Sequence, residues 1–171
     1  MKKPDLQRLV PPGVNAQQEL HWICGGWALS LLYSLGFVAG YDQELNNLYT
    51  TVTTSAGRQR VLRSDVMMPD FADLLGTHLY GFLLVALCML AVVIYHYVYH
   101  RQGSKSIYLM RRLPDGMELH RRCWTLPVLG ALASLLLAFV LLLIYYAIYL
   151  FITPDACLTP GQWQKLWSVI L

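Results

Sequence analysis

Four side chains that could hold a metal ion flank one polar loop: His96 and His100, four residues apart, and His120 and Cys123, three apart. On helices those spacings place side chains on one face, and nitrogen with sulfur is a donor set that zinc accepts. The same histidines stand in the run Tyr95, His96, Tyr97, Val98, Tyr99, His100. An aromatic run of this kind anchors a helix at a membrane–water boundary, where the ring is apolar and its polar tip is wet. On that reading the histidines are interfacial residues and the chain holds no metal. Between the two pairs, Ile107, Tyr108, Met110 and Leu113 alternate with Arg111 and Arg112, and Pro114 follows. Apolar anchors with a basic rim suit a short helix that docks in a groove of a soluble partner. The competing use of such a helix is to lie on anionic headgroups.

The elements that would position these residues follow from where charge is missing. No Asp, Glu, Lys or Arg occurs between Glu19 and Asp42, between Asp73 and Arg101, or between Arg122 and Asp155, gaps of 22, 27 and 32 residues. A hydrocarbon core of roughly 30 Å needs about 20 apolar helical residues, so each gap can cross it. With 56% hydrophobic and 13% charged residues, the chain has too little polar material to surround a water-soluble core. The fold expected is an all-α integral membrane protein with three transmembrane helices in one membrane domain covering 1–171. Residues 1–19 form an interfacial elbow or tail, 20–41 the first span and 42–74 an outer loop. The second span is 75–99, a cytoplasmic loop occupies 100–123, the third span is 124–152 and an amphipathic outer tail closes the chain at 153–171. The first span follows a 19-residue polar stretch without a small-residue cleavage site, so it is expected to persist in the mature protein.

Orientation follows Lys and Arg near the span ends. Lys2, Lys3, Arg8, Arg101, Lys105, Arg111, Arg112, Arg121 and Arg122 fall on one side of three spans, and Arg58, Arg60, Arg63 and Lys165 on the other. Nine against four puts the N-terminus and the 100–123 loop in the cytoplasm and the C-terminus outside; the expected location is a bacterial plasma membrane. Bases this close to lipid are read as topology and headgroup contacts, with no nucleic-acid partner. Cys24 and Cys88 fall within spans, Cys123 at the cytoplasmic face and Cys157 outside, where it has no intrachain disulfide partner.

Small residues recur at spacing four: Gly26, Ser30 and Ser34, then Gly36 and Gly40 in the first span, and Gly130, Ser134 and Ala138 in the third. A helix face without bulk lets a second backbone approach, so these are expected to be helix-packing positions. In the outer loop, the Thr-rich stretch around Gly57 reads as irregular or short hairpin structure. The stretch from Arg58 to Met68 reads as a short helix stopped by Pro69, and Trp163 and Trp167 as one face of a surface helix.

In the cytoplasmic loop, Ser104 can cap a helix that Pro114 terminates, and Asp115 with Glu118 fits the start of the next helix. The stretch SKSIYLMRRLP at 104–114, followed by ELHRRCWTLP at 118–127, resembles the loop between the second and third spans of ABC-2 type transporter permeases. The resemblance implies a coupling helix with a Leu-Pro exit, seated in a cleft of an ATP-binding subunit. The contact would be made by Ile107, Tyr108, Met110, Arg111, Arg112, Leu113 and Pro114. The order of elbow, span, outer loop, span, coupling helix and span is similar to half of such a permease. The family has six spans where this chain has three, so a copy of itself or a second permease chain would complete a pathway. No GxxxxGK(S/T) sequence occurs, so ATP and Mg are expected on the partner subunit and no cofactor in this chain. No carboxylate or histidine lies mid-span, so neither a catalytic site nor a proton pathway is expected, and the chain is read as a non-enzyme. The alternative function is a small membrane adaptor that stabilises a separate permease without lining a path.

Overall fold

A computed structural model describes residues 10–11, 14–54, 57–63, 65–102 and 116–170. The loop stretch with Ile107, Tyr108, Met110, Arg111, Arg112, Leu113 and Pro114 lies outside the described residues, as does most of the N-terminal elbow. The described chain is mostly helical: α1 Ala16–Asn47, α2 Phe71–Leu75, α3 Tyr80–Gln102, α4 Gly116–Ile152 and α5 Gln162–Ile170, with a hairpin of β1 Tyr49–Thr54 and β2 Gly57–Leu62. Among the described residues, three helical segments are long and apolar enough to cross a membrane: Ala16–Asn47, Tyr80–Tyr99 and His120–Ile152.

Each long helix differs at its ends from the charge-free gap that marks it. Helix α1 continues past Asp42 to Asn47, where Asn46 donates to the Asp42 carbonyl and carboxylate at 2.8 and 3.1 Å. The second span starts at Tyr80 rather than 75, because Leu74 and Leu75 close α2 and Gly76 turns the chain. Gly76 has φ +43° and its N–H bonds the Ala72 carbonyl, a helix end that a residue without Cβ adopts cheaply. The residues from Arg58 to Met68 do not form a helix. Arg58 to Leu62 pair antiparallel with the Thr-rich strand, Thr51 opposite Arg60 and Tyr49 opposite Leu62, and the helix comes after Pro69 instead. Arg60 fixes the hairpin to α1 by donating to Asn46 Oδ1 at 2.7 Å, and its guanidinium lies 5.4 Å from the Tyr49 ring centre.

The chain divides into two compact units, residues 1–30 with 80–138, and residues 31–79 with 139–171. In the first, Ile23, Ala86, Met89 and Ala131 form the core, with Trp27 and Val92 against it. Close approach here depends on small residues. A Cβ on Gly26 would meet Val85 at 2.9 Å, one on Gly81 would meet Ser30 Oγ at 2.9 Å, and one on Gly130 would meet Ile23 and Met89 at 3.3 Å. The Ser134 hydroxyl donates to the Gly130 carbonyl and accepts from Trp27 Nε1 at 2.8 Å, so one buried oxygen joins α1 to α4. Val10 and Ala16 pack on Leu126, which fastens the chain entering α1.

The second unit is built on aromatic rings. Phe37 stacks on Tyr145 with centroids 4.5 Å apart, and Phe71 meets Phe37, Tyr146 and Tyr149 at 5.3 to 5.7 Å, edge-on or tilted. Tyr145 and Tyr149 are therefore core residues. Their hydroxyls are satisfied: Tyr145 bonds Ser34, and Tyr149 donates to the Pro69 carbonyl at 2.9 Å. Gly36 receives the His78 ring, since a Cβ there would stand 2.6 Å from His78 Cε1, whereas Gly40 has nothing within 4 Å. The small-residue stripe is thus a packing face at Gly36 and an open surface at Gly40. Helix α5 is held by Asp70, whose carboxylate accepts from Thr159 Oγ1 at 2.8 Å, Gln162 Nε2 at 3.0 Å and Lys165 Nζ at 2.9 Å. Those donors hold the Asp70 carboxyl down at about 2, the Lys165 ammonium contributing most. Trp163 packs on Tyr146 at 5.1 Å, which places that side of α5 on the protein.

Candidate functional site

Within the first unit, α1, α3 and α4 meet at a polar node that starts from a proline. Pro127 lies inside α4 and has no N–H, so the carbonyl four residues earlier, that of Cys123, loses its helical donor. In an apolar surrounding that oxygen needs another partner. It obtains one from α3: His96 Nδ1 lies 3.2 Å from Cys123 O, and the other ring nitrogen, Nε2, lies 2.6 Å from Glu19 Oε1 on α1. The imidazole is fully buried and the Glu19 side chain is 15% exposed.

The partners define the proton count. A carbonyl only accepts, so His96 Nδ1 carries hydrogen. A further hydrogen lies between Nε2 and Oε1, either on the imidazole beside a carboxylate or on a carboxylic acid beside neutral imidazole. Both arrangements are net neutral. This is how an acid and a base occupy one end of the helix set without an uncompensated charge. The second carboxylate oxygen, Glu19 Oε2, is buried and has no hydrogen-bond partner among the described residues.

Beside the node is a cavity of about 410 Å³ at the ends of the three spans. Glu19 forms part of its wall, together with Trp22, Met89, Tyr95, Tyr99 and Pro127. Trp22 and Tyr95 are 72% and 58% exposed, so the cavity reaches the outer surface of the helices.

Of the four sequence candidates for metal binding, the His100 side chain lies outside the described residues, and the other three behave differently from one another. His96 is buried and committed to Glu19 and Cys123, so it is not a boundary anchor; Pro127 created the acceptor that draws it inward. Cys123 contributes its carbonyl, and its thiol is buried. His120 Nδ1 bonds the Tyr97 hydroxyl at 2.6 Å, and that oxygen also accepts from Trp124 Nε1 at 3.0 Å. No group of three or more His, Cys, Asp or Glu suited to a metal ion occurs among the described residues. Of the packing candidates, Gly26, Ser30, Ser34, Gly36, Gly130 and Ser134 lie at close contacts or are buried, whereas Gly40 is open and Ala138 is only partly buried. Sequence reasoning missed Glu19 as a site residue, having used it to mark the edge of a gap. The signal was present in Pro127, since a proline inside an apolar helix identifies the orphaned carbonyl at Cys123.

The chain matches no family model, no characterised protein and no solved structure.

Proposed function

We propose that this protein is a membrane subunit of an ABC-2-like transport complex, whose 100–123 loop docks on a separate ATP-binding subunit. The observation that carries the reading is the loop sequence itself, with apolar anchors Ile107, Tyr108, Met110 and Leu113 beside Arg111 and Arg112 and a stop at Pro114. The geometry on either side of the loop is consistent with that use. Tyr97 near the end of α3 bonds His120 and Trp124 near the start of α4, and His96 bonds Cys123 and Glu19. A displacement of the loop by the ATPase would therefore move α1, α3 and α4 at their linked ends rather than bend one helix alone. A second permease chain or a copy of this one completes the pathway, and the nucleotide chemistry belongs to the partner.

Co-purification from the native membrane in mild detergent tests this. An ATP-binding subunit should accompany the wild-type protein in stoichiometric amount and be lost from the Arg111→Glu, Arg112→Glu variant. Recovery with another permease but without an ATPase would replace this reading with that of an adaptor.

A further inference from the structure

The cavity beside the Glu19–His96 pair has a composition that selects one kind of ligand. Its charged wall residue is Glu19, and among the described residues that line it there is no Lys or Arg. His96, which balances Glu19, lies behind the wall and does not line the cavity. An anion would meet a carboxylate here with no base among the described lining residues to hold it, and a purely apolar guest would leave the wall's carboxylate without a further donor. A carboxylate offers about four lone-pair directions, so one that already accepts from His96 can accept again. The remaining walls are aromatic and apolar, with Trp22, Tyr95 and Tyr99 supplying rings and Met89 and Pro127 hydrocarbon. Tryptophan and tyrosine faces attract an ammonium group, more so where water is excluded. The cavity lies toward one end of the spans and opens past the exposed Trp22 and Tyr95.

We propose that this cavity binds the ammonium head of an amphiphilic amine, with Glu19 accepting its N–H and Trp22 and Tyr95 packing on its charge. The apolar tail then lies along the lipid-facing side of the helices. The ligand is either a bilayer lipid with a primary-amine headgroup or a soluble long-chain amine. This site is independent of the transport reading, because none of the described residues that line it belongs to the 100–123 loop.

Native mass spectrometry of the intact protein, released from maltoside micelles, distinguishes the sources. The protein is incubated with equimolar phosphatidylethanolamine and phosphatidylglycerol of the same acyl chains, and separately with dodecylammonium or dodecanol. Preferential retention of phosphatidylethanolamine identifies a lipid headgroup site. Retention of dodecylammonium over dodecanol, without any preference between the lipids, identifies a soluble amine. In either case Trp22→Leu, a change at an exposed position, should weaken ammonium retention roughly fivefold. The Glu19→Leu, His96→Leu double variant, which removes acceptor and counter-charge together, should abolish the preference. Equal retention of all four probes, or a preference unaltered in both variants, overturns the proposal. Circular dichroism of each variant, matched to the wild-type spectrum, separates loss of the site from loss of the fold, and Tyr95→Leu replaces any variant that fails to match.

Discussion

Replacing His96 by Leu removes two hydrogen bonds made by a fully buried imidazole. The Cys123 carbonyl, already without a helical donor because of Pro127, becomes an unsatisfied buried acceptor, which costs about 1–3 kcal/mol. Glu19 loses its hydrogen-bonded partner, and breaking one side of a buried pair costs about 3–5 kcal/mol. Glu19 retains some exposure to solvent, so the two costs do not add in full. The expected loss is about 3 kcal/mol, roughly 150-fold in the unfolding equilibrium. Glu19→Leu, His96→Leu should be milder than His96→Leu alone, at about 1–2 kcal/mol, because only the carbonyl is then left unpaired. Pro127→Leu supplies the missing N–H, so His96→Leu in that background should cost about 1 kcal/mol less than in the wild type. Unfolding in mixed detergent and SDS micelles, followed by tryptophan fluorescence, measures all of these. If the double variant is as unstable as His96→Leu, and Pro127→Leu changes nothing, the node does not hold the helices in the manner described.

Two glycines of the same stripe should respond in opposite directions: Gly36→Ala forces the His78 ring away and should cost about 1–3 kcal/mol, while Gly40→Ala meets open space and should be neutral or stabilising by up to about 1 kcal/mol. The same unfolding titration compares them. Asp70→Ala should free α5 and raise maleimide labelling of the buried Cys157 roughly tenfold at pH 7, through the loss of about 1.4 kcal/mol. Because the folded Asp70 carboxyl is held at about 2, below its ordinary 3.8, its contribution is complete above about pH 4 and disappears as the pH falls through 2. The side chain is partly exposed, so that contribution is about 1 kcal/mol after screening; Trp163 fluorescence between pH 5 and 2 should show a transition that Asp70→Asn lacks.

The three spans were legible because ionised groups are excluded from hydrocarbon, and that exclusion writes itself directly into the charge pattern. Span ends were less legible. Asp42 sits within α1 because a carboxylate is tolerated on a helical turn beyond the bilayer, and the second gap concealed a turn at Gly76 because glycine carries no charge to mark it. The hairpin was foreseeable from the β-branched run at 50–54, but Arg58 to Leu62 has no strand signature of its own and becomes a strand by pairing. At the candidate site, spacing along one helix gave the faces of His96, His120 and Cys123 but not the rotation of one helix against another. That rotation decides whether a histidine meets a thiol, a carbonyl or lipid, and here it delivered His96 to Cys123 O and Glu19. Gly36 and Gly40 are alike in sequence for the same reason: what differs is the presence of His78.

The spans are unequal in length, and a bilayer has one thickness. The stretch Tyr80–Tyr99 has 20 residues, about 30 Å of helix, and fits a hydrocarbon core of roughly 30 Å when upright. His120–Ile152 has 33 residues, about 50 Å, so some four turns exceed that thickness and must be taken up by tilt or carried beyond the acyl chains under protein cover. One helix therefore fixes the preferred thickness while another carries a surplus that changes inclination when the thickness changes. Acyl chain length is thus expected to change the inclination of His120–Ile152 before that of Tyr80–Tyr99.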